Sequence, residues 1–118
     1  MDYHYKDLAA ILFARFEDYA RELCERNQRD PNTARYEFTS QQMLKKAAQQ
    51  NQDAYVQWLE RSRVRFPNEI FNKAHEDIGR EISRRAEQAG FEKIIEQGRS
   101  ETDIFGNPTR RVTYKPKA

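Results

Sequence analysis

Thr39-Ser40-Gln41-Gln42-Met43-Leu44-Lys45-Lys46-Ala47-Ala48-Gln49-Gln50-Asn51-Gln52-Asp53-Ala54-Tyr55-Val56-Gln57-Trp58-Leu59-Glu60-Arg61-Ser62-Arg63 is the stretch whose reading decides the fold. A threonine followed three residues on by glutamine can close a capping box, so a helix starts here. Met43, Leu44, Ala47 and Ala48 make one apolar block; Ala54, Tyr55, Trp58 and Leu59 make a second. Between them lies the polar run Gln49–Asp53. Two readings compete. One helix runs through with Asn51 in its buried seam, or the polar run is a turn between two short helices, as in a helix-turn-helix.

Working towards the N-terminus, Leu8, Leu12, Phe16, Tyr19 and Leu23 recur at helical spacing, widened by Ala9, Phe13, Ala20 and Cys24. This predicts one amphipathic helix over about 5–28, closed by Asp30-Pro31, because the residue before proline is pushed out of the α region. Tyr36 and Phe38 flank Glu37 in a connection, as a short extended piece or as aromatics covering helix ends. Towards the C-terminus, Phe66-Pro67 punctuates the chain. A third helix over 67–89 is expected from Phe71, Ala74, Ile78, Ile82 and Ala86, with Gly90 as its left-handed stop. Gly79 inside it marks either a close helix crossing or a tolerated exposed glycine.

Beyond Gly90 the pattern changes. Residues 91–97 read as a short helix or a strand, Ile104–Pro108 as a turn, and Arg110–Lys115 alternates with Val112 and Tyr114 on one side, which suggests a hairpin. A mobile basic tail is the alternative. The expected fold class is therefore mainly α: three principal amphipathic helices in a 1–90 helical domain, then a 91–118 extension holding a small C-terminal β-hairpin or basic tail.

Composition narrows the function classes. The 118 residues are 37% hydrophobic and 34% charged, with a mean hydropathy of −1.09. Such a chain buries a modest core, and a narrow apolar stripe on long helices is better covered by a partner, so a homo-oligomer is expected. Net charge is only +2, but residues 1–60 carry 8 basic and 10 acidic side chains while residues 61–118 carry 13 and 9. That asymmetry permits DNA binding without requiring it. Cys24 stands alone, which rules out an intrachain disulfide and reads as a buried small hydrophobe. No segment is long and apolar enough for a membrane span and no signal-peptide pattern opens the chain, so a cytoplasmic setting is expected.

Catalysis finds no footing: there is no Gly-rich phosphate loop, nucleophile elbow or HExxH pattern, and neither cofactor nor metal is expected. His75-Glu76-Asp77 cannot converge on one ion from consecutive helix positions. The Glu76, Asp77, Arg80, Glu81, Arg84 and Arg85 group reads as a charge-laced solvated face.

A helix-turn-helix would assign DNA-contacting roles. Gln52, Gln57 and Arg61 become base readers, because Gln pairs with adenine and Arg with guanine. Lys45, Lys46, Arg63 and Arg65 become phosphate contacts. The rival class is a protein-binding adaptor or inhibitor of phage or plasmid type, working through its helical surface. Tyr3, Tyr36, Phe105 and Tyr114 are the candidate interface residues, aromatics being enriched at interface hot spots.

The layout resembles phage terminase small subunits, DNA-packaging recognition proteins. The matching pieces are Asp30-Pro31, Phe38-Thr39-Ser40, Phe66–Phe71, Ala89-Gly90-Phe91 and the Asp103–Pro108 turn. The resemblance implies DNA recognition by the helix-turn-helix, and a terminal hairpin whose strands help build a ring.

Overall fold

A computed structural model describes residues 5–65, 68–103, 106 and 108–117, apart from the side chains of Tyr5, Arg65, Ile70, Phe71 and Gln97. The elements run α1 (Tyr5–Leu12), α2 (Phe16–Arg29), β1 (Phe38–Thr39), α3 (Ser40–Gln50), α4 (Gln52–Arg65), α5 (Ile70–Gln88), β2 (Phe91–Thr102) and β3 (Pro108–Pro116). The three strands form one antiparallel sheet in the order β1-β3-β2. The expectation of a mainly α protein is thereby corrected to a mixed α/β fold. β2 and β3 are long strands, and β3 is central, taking Phe38 and Thr39 of β1 on its other side opposite Tyr114 and Thr113. Tyr114 is buried, stacks on Phe38 with ring centroids 5.3 Å apart, and shares a 2.7 Å hydrogen bond with the Ser83 hydroxyl of α5.

The stripe expected to form a single N-terminal helix is buried as a stripe, from Leu8 through Phe13 and Phe16 to Cys24, but it belongs to two helices. The chain turns over residues 13–15. The Phe16 amide donates to the Phe13 carbonyl at 3.0 Å, and the Leu12 carbonyl takes the Asn51 side-chain amide at 3.2 Å instead. A contact from 39 residues away thus replaces the local helical bond there.

At the decisive stretch, α3 begins with the expected capping box. The Gln42 amide donates to Thr39 Oγ1 at 3.2 Å, while Gln42 Oε1 accepts from the Thr39 amide at 3.0 Å. Neither extreme reading of 49–53 describes its end. Asn51 alone leaves the helix, at φ −137° and ψ 58°, and α4 resumes at Gln52. Asn51 Nδ2 donates to the carbonyls of Leu12 and Ala47 (2.9 Å) and to the Tyr19 hydroxyl (3.2 Å), tying three helices at one residue. Asp30 ends α2 in extended conformation, and Gly90, at φ 87°, follows α5 in the left-handed region. Gly79 faces open space, since a Cβ there would meet nothing within 4 Å.

α5 packs on α3, α4 and β2, placing Ala74, Ile78, Ile82 and Ala86 in the core. An aromatic chain crosses from helices to sheet: Phe13 to Phe16 at 6.0 Å, Phe16 to Phe38 at 6.1 Å, and Phe38 to Phe91 at 5.1 Å, each edge to face. Among the described residues no helix is long and apolar enough to cross a membrane.

Candidate interaction faces

α4 carries the residues assigned to base reading, so its orientation is what matters. Ala54, Trp58 and Ser62 are buried, and Tyr55 and Leu59 pack partly against the core. At ~100° per residue the opposite third of the helix holds Gln52, Asp53, Val56, Glu60, Arg63 and Val64, all exposed. Val56 is 54% and Val64 80% exposed. Gln57 and Arg61 lie on the flanks and are half-buried. Arg63 is already paired with Glu60 at 2.7 Å.

The two lysines of α3 point to different neighbours. Lys46 Nζ pairs with Glu22 of α2 at 2.7 Å and lies 6.0 Å from the Tyr19 ring centroid, and that pairing holds the Glu22 carboxyl below its usual range. Lys45 Nζ donates to the Thr102 carbonyl at 3.4 Å, at the end of β2. The seven assigned DNA contacts are therefore not gathered on one face: Gln52 and Arg63 share the outer face of α4, while Lys45 and Lys46 are turned towards β2 and α2. The side chain of Arg65 lies outside the described residues. Of the candidate interface aromatics, Tyr36 is partly exposed and Tyr114 is spent on the chain's own core, because β3 is internal to the sheet. Tyr3 and Phe105 lie outside the described residues.

Lys45, Ala48, Gln49 and Tyr55 line a shallow groove of about 380 Å³. Beside it the Tyr55 hydroxyl meets His75 Nε2 at 2.7 Å, with the rings stacked 6.1 Å apart. Burial pushes the Tyr55 phenol up to about 12 and the imidazole of His75 down, and the charge of Asp103 reaches both. Both groups are thus neutral at physiological pH, an arrangement that joins α4 to α5.

Neither a family model nor a curated protein nor a solved structure matches this chain. The terminase-like layout rests on its sequence pieces alone.

Sequence reasoning did not anticipate the surface at the hairpin bend. Ile95 pairs with Val112, and the next paired residues are Ser100 and Arg110, so β2 spends more residues than β3 on the same length of ladder. Gly98, at φ 74°, takes a conformation within this excursion that other residues rarely adopt. The result is an open concavity of about 560 Å³ on the hairpin. A lone glycine inside a polar, strand-length segment was the available signal, since it often marks a bulge.

Proposed function

We propose that this chain is a non-catalytic binding protein that works through protein–protein contact along the outer face of α4, its first occupant being a second copy of the chain. The observation that carries this reading is the exposed stripe Val56–Glu60–Arg63–Val64 on a helix whose other face is fixed in the core. The stripe is self-complementary. In an antiparallel pairing of two α4 helices about Glu60, Val56 meets the second copy's Val64, and each Glu60 lies ~4.5 Å along the axis from the other copy's Arg63. The two internal ion pairs can then exchange partners while both valines leave water.

The same face is a poor match to a DNA groove. Asp53 and Glu60 share this face, and Glu60 already engages Arg63, so a phosphate backbone would meet two carboxylates along the helix and a cation already paired. Four side chains are far fewer than the ~20–30 residues a side of standard interfaces, so the expected dimer is weak.

Sedimentation velocity over a concentration series tests this. The parent should sediment faster as concentration rises, while Val56→Glu and Val64→Glu remain monomeric with unchanged circular dichroism. A parent that stays monomeric at millimolar concentration, or variants that associate as the parent does, would remove the proposal. In the same series, loss of duplex-DNA binding by Arg63→Ala would return the outer face of α4 to the helix-turn-helix reading.

A further inference from the structure

The concavity on the hairpin gathers arginines with one acid beside them. Along α5, by contrast, the exposed arginines are matched by acids one helical turn away, as in Arg80–Glu76 and Arg84–Glu81. Among the described residues that line the concavity the one acid, Glu96, is held by Arg111 at 3.1 Å and lies 3.9 Å from Arg99. Arg99 remains 66% exposed, and Arg110 is exposed with no acidic partner among the described residues. Both arginines line the concavity together with the hydroxyl residues Ser100 and Thr109. Ile95, 45% exposed, adds an apolar wall.

We propose that this concavity binds the phosphodiester backbone of a single-stranded nucleic acid. Guanidinium groups present planar forks of N–H donors that match phosphate oxygens, and hydroxyls complete such a site as further donors. The exposed apolar surface of Ile95 suits a sugar or an unstacked base, which a duplex would keep shielded. The basic character also continues away from the bend to exposed Lys93, two residues before Ile95 and so on the same face of the hairpin. An extended polyanion can use that continuation, and an isolated phosphate cannot. This site is separate from α4 and stands whether or not the outer face of that helix binds a second copy.

The test is fluorescence anisotropy of a labelled oligothymidine titrated with the full chain at two salt concentrations. Two phosphates neutralised by Arg99 and Arg110 contribute a slope of about −1.4 in log K against log salt, or a ~7-fold loss of affinity from about 50 to about 200 mM. The double variant Arg99→Gln/Arg110→Gln should lose that slope and bind at least ~7-fold more weakly at the lower salt. Arg21→Ala, which removes an exposed cation of α2 away from both proposed faces, should bind as the parent does. Both arginines are exposed, so circular dichroism of the double variant should be unchanged. No oligonucleotide binding at low salt, or a double variant equal to the parent, overturns the proposal. So does equal competition by polyglutamate, which would assign the site to acidic peptide, or by inorganic pyrophosphate, which would assign it to a free phosphate ligand.

Discussion

Replacing Asn51 with alanine tests whether one side-chain amide sets the helix breaks. Its Nδ2 lies 2.9 Å from the Ala47 carbonyl, 3.2 Å from the Leu12 carbonyl and 3.2 Å from the Tyr19 hydroxyl. Three oxygens share two N–H groups, so the substitution removes the equivalent of two hydrogen bonds. Each contributes a net ~1 kcal/mol, and more where the abandoned acceptor is buried. Asn51 is half-buried, which places the total at about 2 kcal/mol. With a urea m-value of about 1.3 kcal/mol/M for a chain of this size, the midpoint should fall by about 1.5 M. Gln52→Ala is the matched control: Gln52 is exposed, with only a solvent-exposed 3.4 Å bond to the Gln49 carbonyl, and the change should stay within ~0.5 kcal/mol. Equilibrium urea unfolding followed by the fluorescence of buried Trp58 gives both values. An Asn51→Ala midpoint within ~0.3 M of the parent would refute the assignment of the α1–α2 and α3–α4 breaks to this residue.

Two further perturbations follow from single residues. Burial raises the Glu101 carboxyl above the ordinary glutamate value of 4.5, against the opposing pull of the Thr39 hydroxyl, Arg111 and Lys45. The folded chain therefore holds this proton more tightly than the unfolded one. That contribution to stability is complete below 4.5 and is lost as pH rises through the folded value. Urea midpoints measured upward from about pH 4 should show this decline in the parent and not in Glu101→Gln; parallel curves would show that Glu101 does not titrate in this window. Gly79 sits mid-helix in open space, so Gly79→Ala should stabilise by about 1 kcal/mol, and a destabilised variant would mean a neighbour does approach that position.

The local signals were legible where a few adjacent residues carry the physics. Thr39 and Gln42 make the capping box, Asp30 precedes a proline and ends α2, and Gly90 takes the left-handed turn after α5. What the sequence concealed was non-local. The apolar period runs unbroken through Leu12, Phe13 and Phe16, while the Leu12 carbonyl there accepts from Asn51, 39 residues away. β2 lacks a clean alternation because its bulge changes which face each residue takes, and β1 is two residues long. The mainly α expectation failed at those two strands. Among the proposed DNA contacts, Lys46 was assigned as though free, but Glu22 lies on another helix and cannot be read from spacing. Gln57 and Arg61 could not be oriented until Ala54, Trp58 and Ser62 were known to face the core.

The fold also couples its two proposed faces. The Thr39 hydroxyl donates to Glu101, and Lys45 reaches the Thr102 carbonyl, so the bent end of the hairpin is fastened to the start of α3. α3 in turn leads into α4 through the tethered Asn51. The hairpin concavity and the outer stripe of α4 are therefore held in one frame rather than on independent arms. A dimer formed through α4 would carry two arginine-lined concavities in fixed relation. Each alone engages few phosphates, and exposed arginines are individually weak anchors. Two sites on one strand turn the second contact into an intramolecular event, which can raise avidity by roughly 10²- to 10⁴-fold where the geometry permits both. A weak dimer and a weak phosphate site would then reinforce each other, since a strand spanning both concavities favours the paired state and pairing favours the strand.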